Sequence, residues 1–192
     1  MGDPAGVGPQ ITVSAWEQLR QDPACTFFVI GAPDLYAGRV PVETISHPSE
    51  AGKVFAAALP VLPLDGVPDV QAGTPNAQAA AAIIASIEQA TALCLDGTAD
   101  GMVTNPINKA LLYGAGFRHP GHTEFVATLC AEATNTPLQP VMLLTGGGLR
   151  VALATIHVAL KDVFTQLNTD DLIRLGKIVE ASMRKDFGIA SP

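Results

Sequence analysis

The stretch Gly2-Asp-Pro-Ala-Gly-Val-Gly-Pro9 constrains this chain more than any other, because its glycines and prolines cannot continue a regular helix or strand. It has to be a turn, and Pro9 stands where a first helical residue would. Ile11, Ala15 and Leu19, four residues apart, then mark one face of a helix over Pro9–Arg20. A glycine-rich turn that feeds a helix offers unpaired N–H groups and the positive end of the helix dipole, which favour an anion such as phosphate. It is not a dinucleotide fingerprint, since position 11 is Ile, and no Gly-Lys-Ser/Thr follows to make it a P-loop. A plain strand-to-helix turn and a ligand contact both remain open. Such a loop ordinarily follows a β-strand, and only Met1 stands before it here.

Farther along, Thr26–Ile30 reads as a short buried strand ending at Gly31, followed by a brief helix at Pro33–Ala37 and a strand at Val40–Ile45. The Pro- and Gly-rich stretch Ser46–Gln71 reads mostly as loop with a short strand at Pro60–Leu64. Asn76 can cap an Ala-rich helix from Ala77 to Asp96 that Gly97 stops; Asp100–Thr104 then reads as a strand leading to a helix at Ile107–Gly114. A helix beginning at Gly121 carries Phe125, Val126, Leu129 and Cys130 inward. Pro140–Thr145 and Leu149–Ile156 form a hairpin around Gly146-Gly-Gly148, and Asp170–Lys185 is a final helix. The expected fold is α/β, an open mixed sheet with helices on both faces.

Composition narrows the function. The net charge is −7 with no basic run, so neither a nucleic-acid footprint nor a polybasic membrane patch is expected. Polar residues interrupt the longest apolar stretch, Ala77–Leu95, which reads as an amphipathic helix rather than a membrane span. Cys25, Cys94 and Cys130 are scattered among apolar or small neighbours, which argues against a disulfide framework and fits a reducing, cytoplasmic setting.

Three further places carry chemistry. Thr104-Asn-Pro-Ile-Asn-Lys109 sits at the carboxyl end of an expected strand, where open α/β sheets bind ligands, so Asn105, Asn108 and Lys109 can grip a carboxylate or phosphate or merely cap a helix. In His119-Pro-Gly-His-Thr-Glu124, Pro and Gly break the helical spacing that two metal-binding imidazoles would need. Thr123 instead reads as a helix N-cap with His122 beside it, converging on an anionic group. His157 is expected at the end of an apolar strand, as an edge residue, an acid/base group or one ligand of a metal site that needs about three. Gly146–Gly148 lacks the nucleophile elbow of a serine hydrolase, and no cysteine has basic loop neighbours.

Taken together, Met1–Pro9, Val103-Thr-Asn-Pro-Ile-Asn-Lys109, Gly116-Phe117 with Pro120-Gly-His-Thr-Glu-Phe125, and Arg150–His157 with Leu160-Lys-Asp-Val163 resemble the 4-hydroxythreonine-4-phosphate dehydrogenase family of vitamin B6 biosynthesis. The blocks keep the family's order and spacing across essentially the whole chain. The resemblance implies an isocitrate/isopropylmalate dehydrogenase-like fold, with a first α/β domain at 1–135 and the start of a second, dimer-forming one at 136–192. It implies NAD- or NADP-dependent oxidation of 4-phosphooxy-L-threonine, with decarboxylation to 3-amino-2-oxopropyl phosphate, in pyridoxal 5'-phosphate biosynthesis. A divalent metal (zinc, magnesium or cobalt) assists, lowering the alcohol's pKa and stabilising the enolate.

By the same resemblance His122 and Thr123 contact substrate, His157 is one of three metal-binding histidines, and the protein is a homodimer. The family's other two metal histidines, its later substrate-binding residues and most of its cofactor site fall beyond Ser191-Pro192, and a strand should precede Gly2. The expectation is therefore a fragment or a degenerate copy that does not turn over alone. A dehydrogenase of 4-phospho-threonate or a similar phosphorylated hydroxy acid, and an inactive binding or partner chain, are the alternatives.

Overall fold

A computed structural model describes residues 1–192. In chain order the helices are α1 (Gly8–Leu19), α2 (Ala51–Val54), α3 (Ala80–Leu95), α4 (Lys109–Gly114), α5 (His122–Thr134), α6 (Leu160–Gln166) and α7 (Thr169–Lys185). The strands are β1 (Val29–Gly31), β2 (Val42–Thr44), β3 (Leu59–Pro63), β4 (Leu143–Gly146) and β5 (Leu149–Ala152). The chain forms two compact units, Met1–Leu138 and Gln139–Pro192.

The first unit is α/β. Its sheet has the order β1-β3-β2, parallel throughout, with Val29 opposite Val61 and Ile30 opposite Leu62. Because side chains alternate along a strand, each strand feeds two cores. Val29, Leu59 and Val61 pack with Trp16 of α1, Tyr36 and Phe55. Ile30 and Leu62 pack with Ile45, Ala51 of α2, and Ala90 and Leu93 of α3. Helices thus cover both faces, which is why these strands read as continuous apolar runs. Trp16, only 2% exposed, donates its indole N–H to the Phe55 carbonyl at 2.8 Å, so the largest side chain of α1 is both packed and satisfied.

A third cluster joins α3 to the segments that follow it. Ala80, Ile83 and Ile87 pack on Leu112 of α4, on Phe117, and on Phe125 of α5. Phe117 meets Phe125 edge-on at 5.1 Å. Ala77–Leu95 is long and apolar enough to cross a membrane by length and composition alone, and here it is the helix around which this cluster is built.

In the second unit, β4 and β5 are an antiparallel pair of their own. Gly146 faces Leu149, so Gly147 and Gly148 form the two-residue loop, with φ of 56° and 82°. Two consecutive positive φ values define the type I′ hairpin turn, and glycine makes them inexpensive. Asn168 caps α7 by accepting the Asp171 N–H at 2.9 Å, with Asp170 and Asp171 in the first turn and Arg184 and Lys185 in the last, complementing the helix dipole.

Several local expectations are corrected. Asp100–Thr104 is not a strand: no neighbour pairs with Gly101–Thr104, and a strand exists only through its ladder. Residues 48–54 within the expected loop form a 3-10 turn running into α2, started by His47, whose Nδ1 accepts the Ser49 N–H. The strand expected to reach Ile156 stops at Ala152, because β4 offers only four residues to pair with. Helix α5 is capped by Gly121, not Thr123, which lies inside the helix.

Candidate anion-binding site

The site is built where the parallel strands end. Gly2 has φ +80°, and a Cβ there would lie 2.6 Å from the Cβ of Asn105 and 2.9 Å from the carbonyl of Pro106; at Gly8 it would lie 3.2 Å from the Asn105 Cβ. The two glycines therefore clasp Asn105, and only the absence of side chains permits that approach. Asn105 Nδ2 donates to Thr12 Oγ1 of α1 at 3.0 Å, and the Asp3 N–H donates to the Pro106 carbonyl at 3.0 Å. Thus Asn105 secures one loop to the other rather than capping a helix. Asn108 is the cap of α4, accepting the Leu111 N–H at 3.2 Å.

The glycine-rich loop itself does not present an anion cradle. Asp3, 7% exposed, accepts the Ala5 N–H through Oδ1 at 3.0 Å, and its carbonyl accepts from Gly6 at 3.1 Å. A carboxylate is already folded against these amides, and a phosphate would have to displace it.

The N-terminus of α5 is different. No side chain caps it, so the amides of its first turn keep their donors free. Lys109 Nζ lies 3.7 Å from where a Gly121 Cβ would stand, and Glu124 Oε2 lies 3.4 Å from the same point. His122 opens the helix with its Nε2 buried and without a hydrogen-bond partner. Burial, then the Lys109 ammonium and the chain's amino terminus, hold its pKa below the usual imidazole value, so the ring is neutral at pH 7. A neutral imidazole with one unused ring nitrogen, an ammonium and a helix N-terminus together attract the oxygens of an anion, in a protein whose net charge is negative.

His119 is not part of this group, for its ring packs between Phe117 and Phe125 at 5.2 and 5.0 Å. Thr123 is exposed on the first turn of α5 and makes no side-chain hydrogen bond. In the second unit His157 is exposed, five residues past the end of β5, and has φ +56°. A left-handed histidine costs about 1–2 kcal/mol unless its surroundings favour it. No group of three or more His, Cys, Asp or Glu comes together anywhere in the chain, so the residues present do not themselves compose a metal site. Neither do they compose a pyrophosphate cradle for a nicotinamide cofactor, given the inward-turned glycine loop.

Sequence reasoning named His122, Asn105 and Lys109 as candidates but missed the clasp. Its signal was the pair of glycines six residues apart, which marks a close backbone approach as readily as it marks a turn.

Residues 23–192 match the family described as "Pyridoxal phosphate biosynthetic protein PdxA". The chain belongs to the PdxA family. Among PdxA relatives, the 4-hydroxythreonine-4-phosphate dehydrogenase of Caulobacter vibrioides is 47% identical over 195 residues, covering all of this chain and 58% of that protein. The enzyme of the same name from Bradyrhizobium diazoefficiens is 39% identical, with 59% of its length covered. The crystal structure of a 4-hydroxythreonine-4-phosphate dehydrogenase from Burkholderia phymatum superposes with a TM-score of 0.83 at 28% identity, over 95% of this chain and 56% of that one. A Klebsiella pneumoniae structure of the same name gives 0.77 at 30% identity, with 56% covered. This PdxA chain therefore shares the α/β fold and spans somewhat more than half the length of the curated relatives it matches.

Proposed function

We propose that this chain carries the substrate-phosphate site of an enzyme that oxidises 4-phosphooxy-L-threonine with NAD or NADP, with loss of CO2 to give 3-amino-2-oxopropyl phosphate, in pyridoxal 5'-phosphate biosynthesis. The observation that supports it most is the buried, unpartnered Nε2 of His122 at an uncapped helix N-terminus beside Lys109. His122 donates to a substrate oxygen while staying neutral, so it orients without competing for the proton. Lys109 and the first-turn amides of α5 hold the phosphate, and Thr123, exposed on the same turn, adds its hydroxyl. His157 would be one ligand of a divalent metal. A bound nicotinamide would supply the hydride acceptor and a divalent metal would supply Lewis-acid chemistry, with the rest of each site furnished from outside these residues. We place the protein in the cytoplasm as a homodimer.

Calorimetry of the chain with 4-phosphooxy-L-threonine and with its unphosphorylated counterpart tests the site. Binding should require the phosphate and weaken at least about tenfold in His122→Asn and in Lys109→Met, a loss of about 1.4 kcal/mol. Equal binding of both compounds refutes the phosphate site. The reaction itself is tested by joining this chain to the remaining carboxyl-terminal portion of the Caulobacter vibrioides relative and supplying substrate, NAD and a divalent metal. A folded chimera that forms no NADH refutes the proposed activity.

A further inference from the structure

Two opposite charges face Gly121 without meeting. Glu124 Oε2 and Lys109 Nζ lie 3.4 and 3.7 Å from the point where a Gly121 Cβ would stand, so their charged ends are within about 7 Å of each other. They are not an ion pair, for the chain's ion pairs are Asp171–Arg174 and Glu180–Arg184, both within α7. Helix α4 does not explain Lys109 either. It is the first residue of that helix, at the positive end of the dipole, where an ammonium is disfavoured. Glu124, in the first turn of α5, suits its own helix dipole, yet it stands beside the place proposed for a phosphate.

The residue between the two charges is also informative. Gly121 has φ −172°, an extended backbone that any residue adopts, so glycine is not a conformational requirement there. What its missing Cβ leaves open is the space between the ammonium and the carboxylate. A carboxylate so close to a bound phosphate repels it, which lowers the affinity for every phosphate that does not bring a cation of its own.

We propose that Glu124 is a specificity-determining residue of this site: its carboxylate takes the ammonium of a ligand whose phosphate lies on Lys109 and the first-turn amides of α5. The site then selects a phosphorylated amino acid over the corresponding hydroxy acid and over a simple phosphate. This rests on the phosphate site proposed above. In 4-phosphooxy-L-threonine the ammonium and the phosphate sit on carbons two apart, a separation comparable to that of Glu124 and Lys109. Lying across Gly121, such a ligand sets each of its charges against the opposite one, and His122, being neutral, leaves that balance unchanged. A hydroxyl in place of the ammonium still donates a hydrogen bond to Glu124 but cancels none of its charge.

The test is calorimetry of the 192-residue chain with 4-phosphooxy-L-threonine, with 4-phospho-threonate, which carries a hydroxyl in place of the ammonium, and with inorganic phosphate. The unaltered chain should bind the first at least about tenfold more tightly than the second. Glu124→Gln should weaken the first at least about tenfold, leave the second unchanged or tighter, and tighten inorganic phosphate about threefold or more. Glu124→Asp, which keeps the charge, should retain part of the preference. Equal binding of the ammonium and hydroxyl ligands by the unaltered chain overturns the proposal. So does a loss in Glu124→Gln that both ligands share equally, which is the result given by a carboxylate that only orients Lys109. If Glu124→Gln does not fold, as read by circular dichroism, the comparison of ligands on the unaltered chain decides. The two readings fail separately. If phosphate is required but the ammonium and hydroxyl ligands bind alike, this inference falls and the phosphate site stands. If the unphosphorylated compounds bind as tightly as the phosphorylated ones, and Glu124→Gln still removes the preference for the ammonium, the phosphate site falls and this inference stands. Absence of binding by every ligand to the folded chain overturns both.

Discussion

Replacing Gly2 by alanine isolates the clasp on Asn105. Alanine at φ +80° costs about 1–2 kcal/mol for the left-handed backbone alone. Its methyl would also stand 2.6 Å from the Asn105 Cβ and 2.9 Å from the Pro106 carbonyl oxygen, distances at which backbone rather than a flexible side-chain end must move. Overpacking of that kind adds about 1–3 kcal/mol, so Gly2→Ala should cost about 2–5 kcal/mol in all. The control is Gly38→Ala, where φ is +78° and no atom lies within 4 Å of the new methyl, so only the backbone contribution of about 1–2 kcal/mol applies. Urea unfolding of both variants, followed by circular dichroism, gives the difference directly. If Gly2→Ala is no less stable than Gly38→Ala, the clasp does not hold the two loops together and the placement of Asn105 loses its basis.

Stability should also fall in mild acid through the Met1 amino group. Its folded pKa of about 6 lies below its unfolded value of 8, so the stabilisation is complete above pH 8 and is lost as pH falls through 6. The full effect is about 3 kcal/mol, read as the change in urea midpoint between pH 9 and pH 5 relative to an N-acetylated chain, which should lack this component. An identical pH slope in the acetylated chain would contradict the burial of the amine. Asn108→Ala should cost about 1 kcal/mol by removing the cap of α4, measurable as a lowered thermal midpoint, whereas no change would mean that Leu111 N–H finds another acceptor.

The sequence was most legible where one segment determines its own structure. Pro9 with the fourfold spacing of Ile11, Ala15 and Leu19 marked α1 to within a residue, and the glycine run marked the hairpin. It was least legible where structure depends on a distant partner. Asp100–Thr104 has the composition of a strand but no neighbour to pair with, and Leu149–Ile156 is apolar for twice the length that β4 can match. Thr123 has the chemistry of an N-cap, yet Gly121 precedes it with an extended backbone that turns the chain into the helix two residues earlier. At the site, His122 was legible by residue type, while its unpartnered nitrogen and the nearness of Lys109 depend on how α4 and α5 pack on α3, which no local pattern encodes.

The clasp also sets an order of events during synthesis. Asn105 and Thr12 are 93 residues apart, and closing a loop of that length costs about 4 kcal/mol of chain entropy before other contacts offset it. As the chain leaves the ribosome, the glycine-rich turn emerges well before Asn105 and must wait, bare, for most of the first unit to follow. Residues 2–8 therefore do not become protected before Asn105 arrives, and that interval is when a chaperone or a protease has its opportunity there.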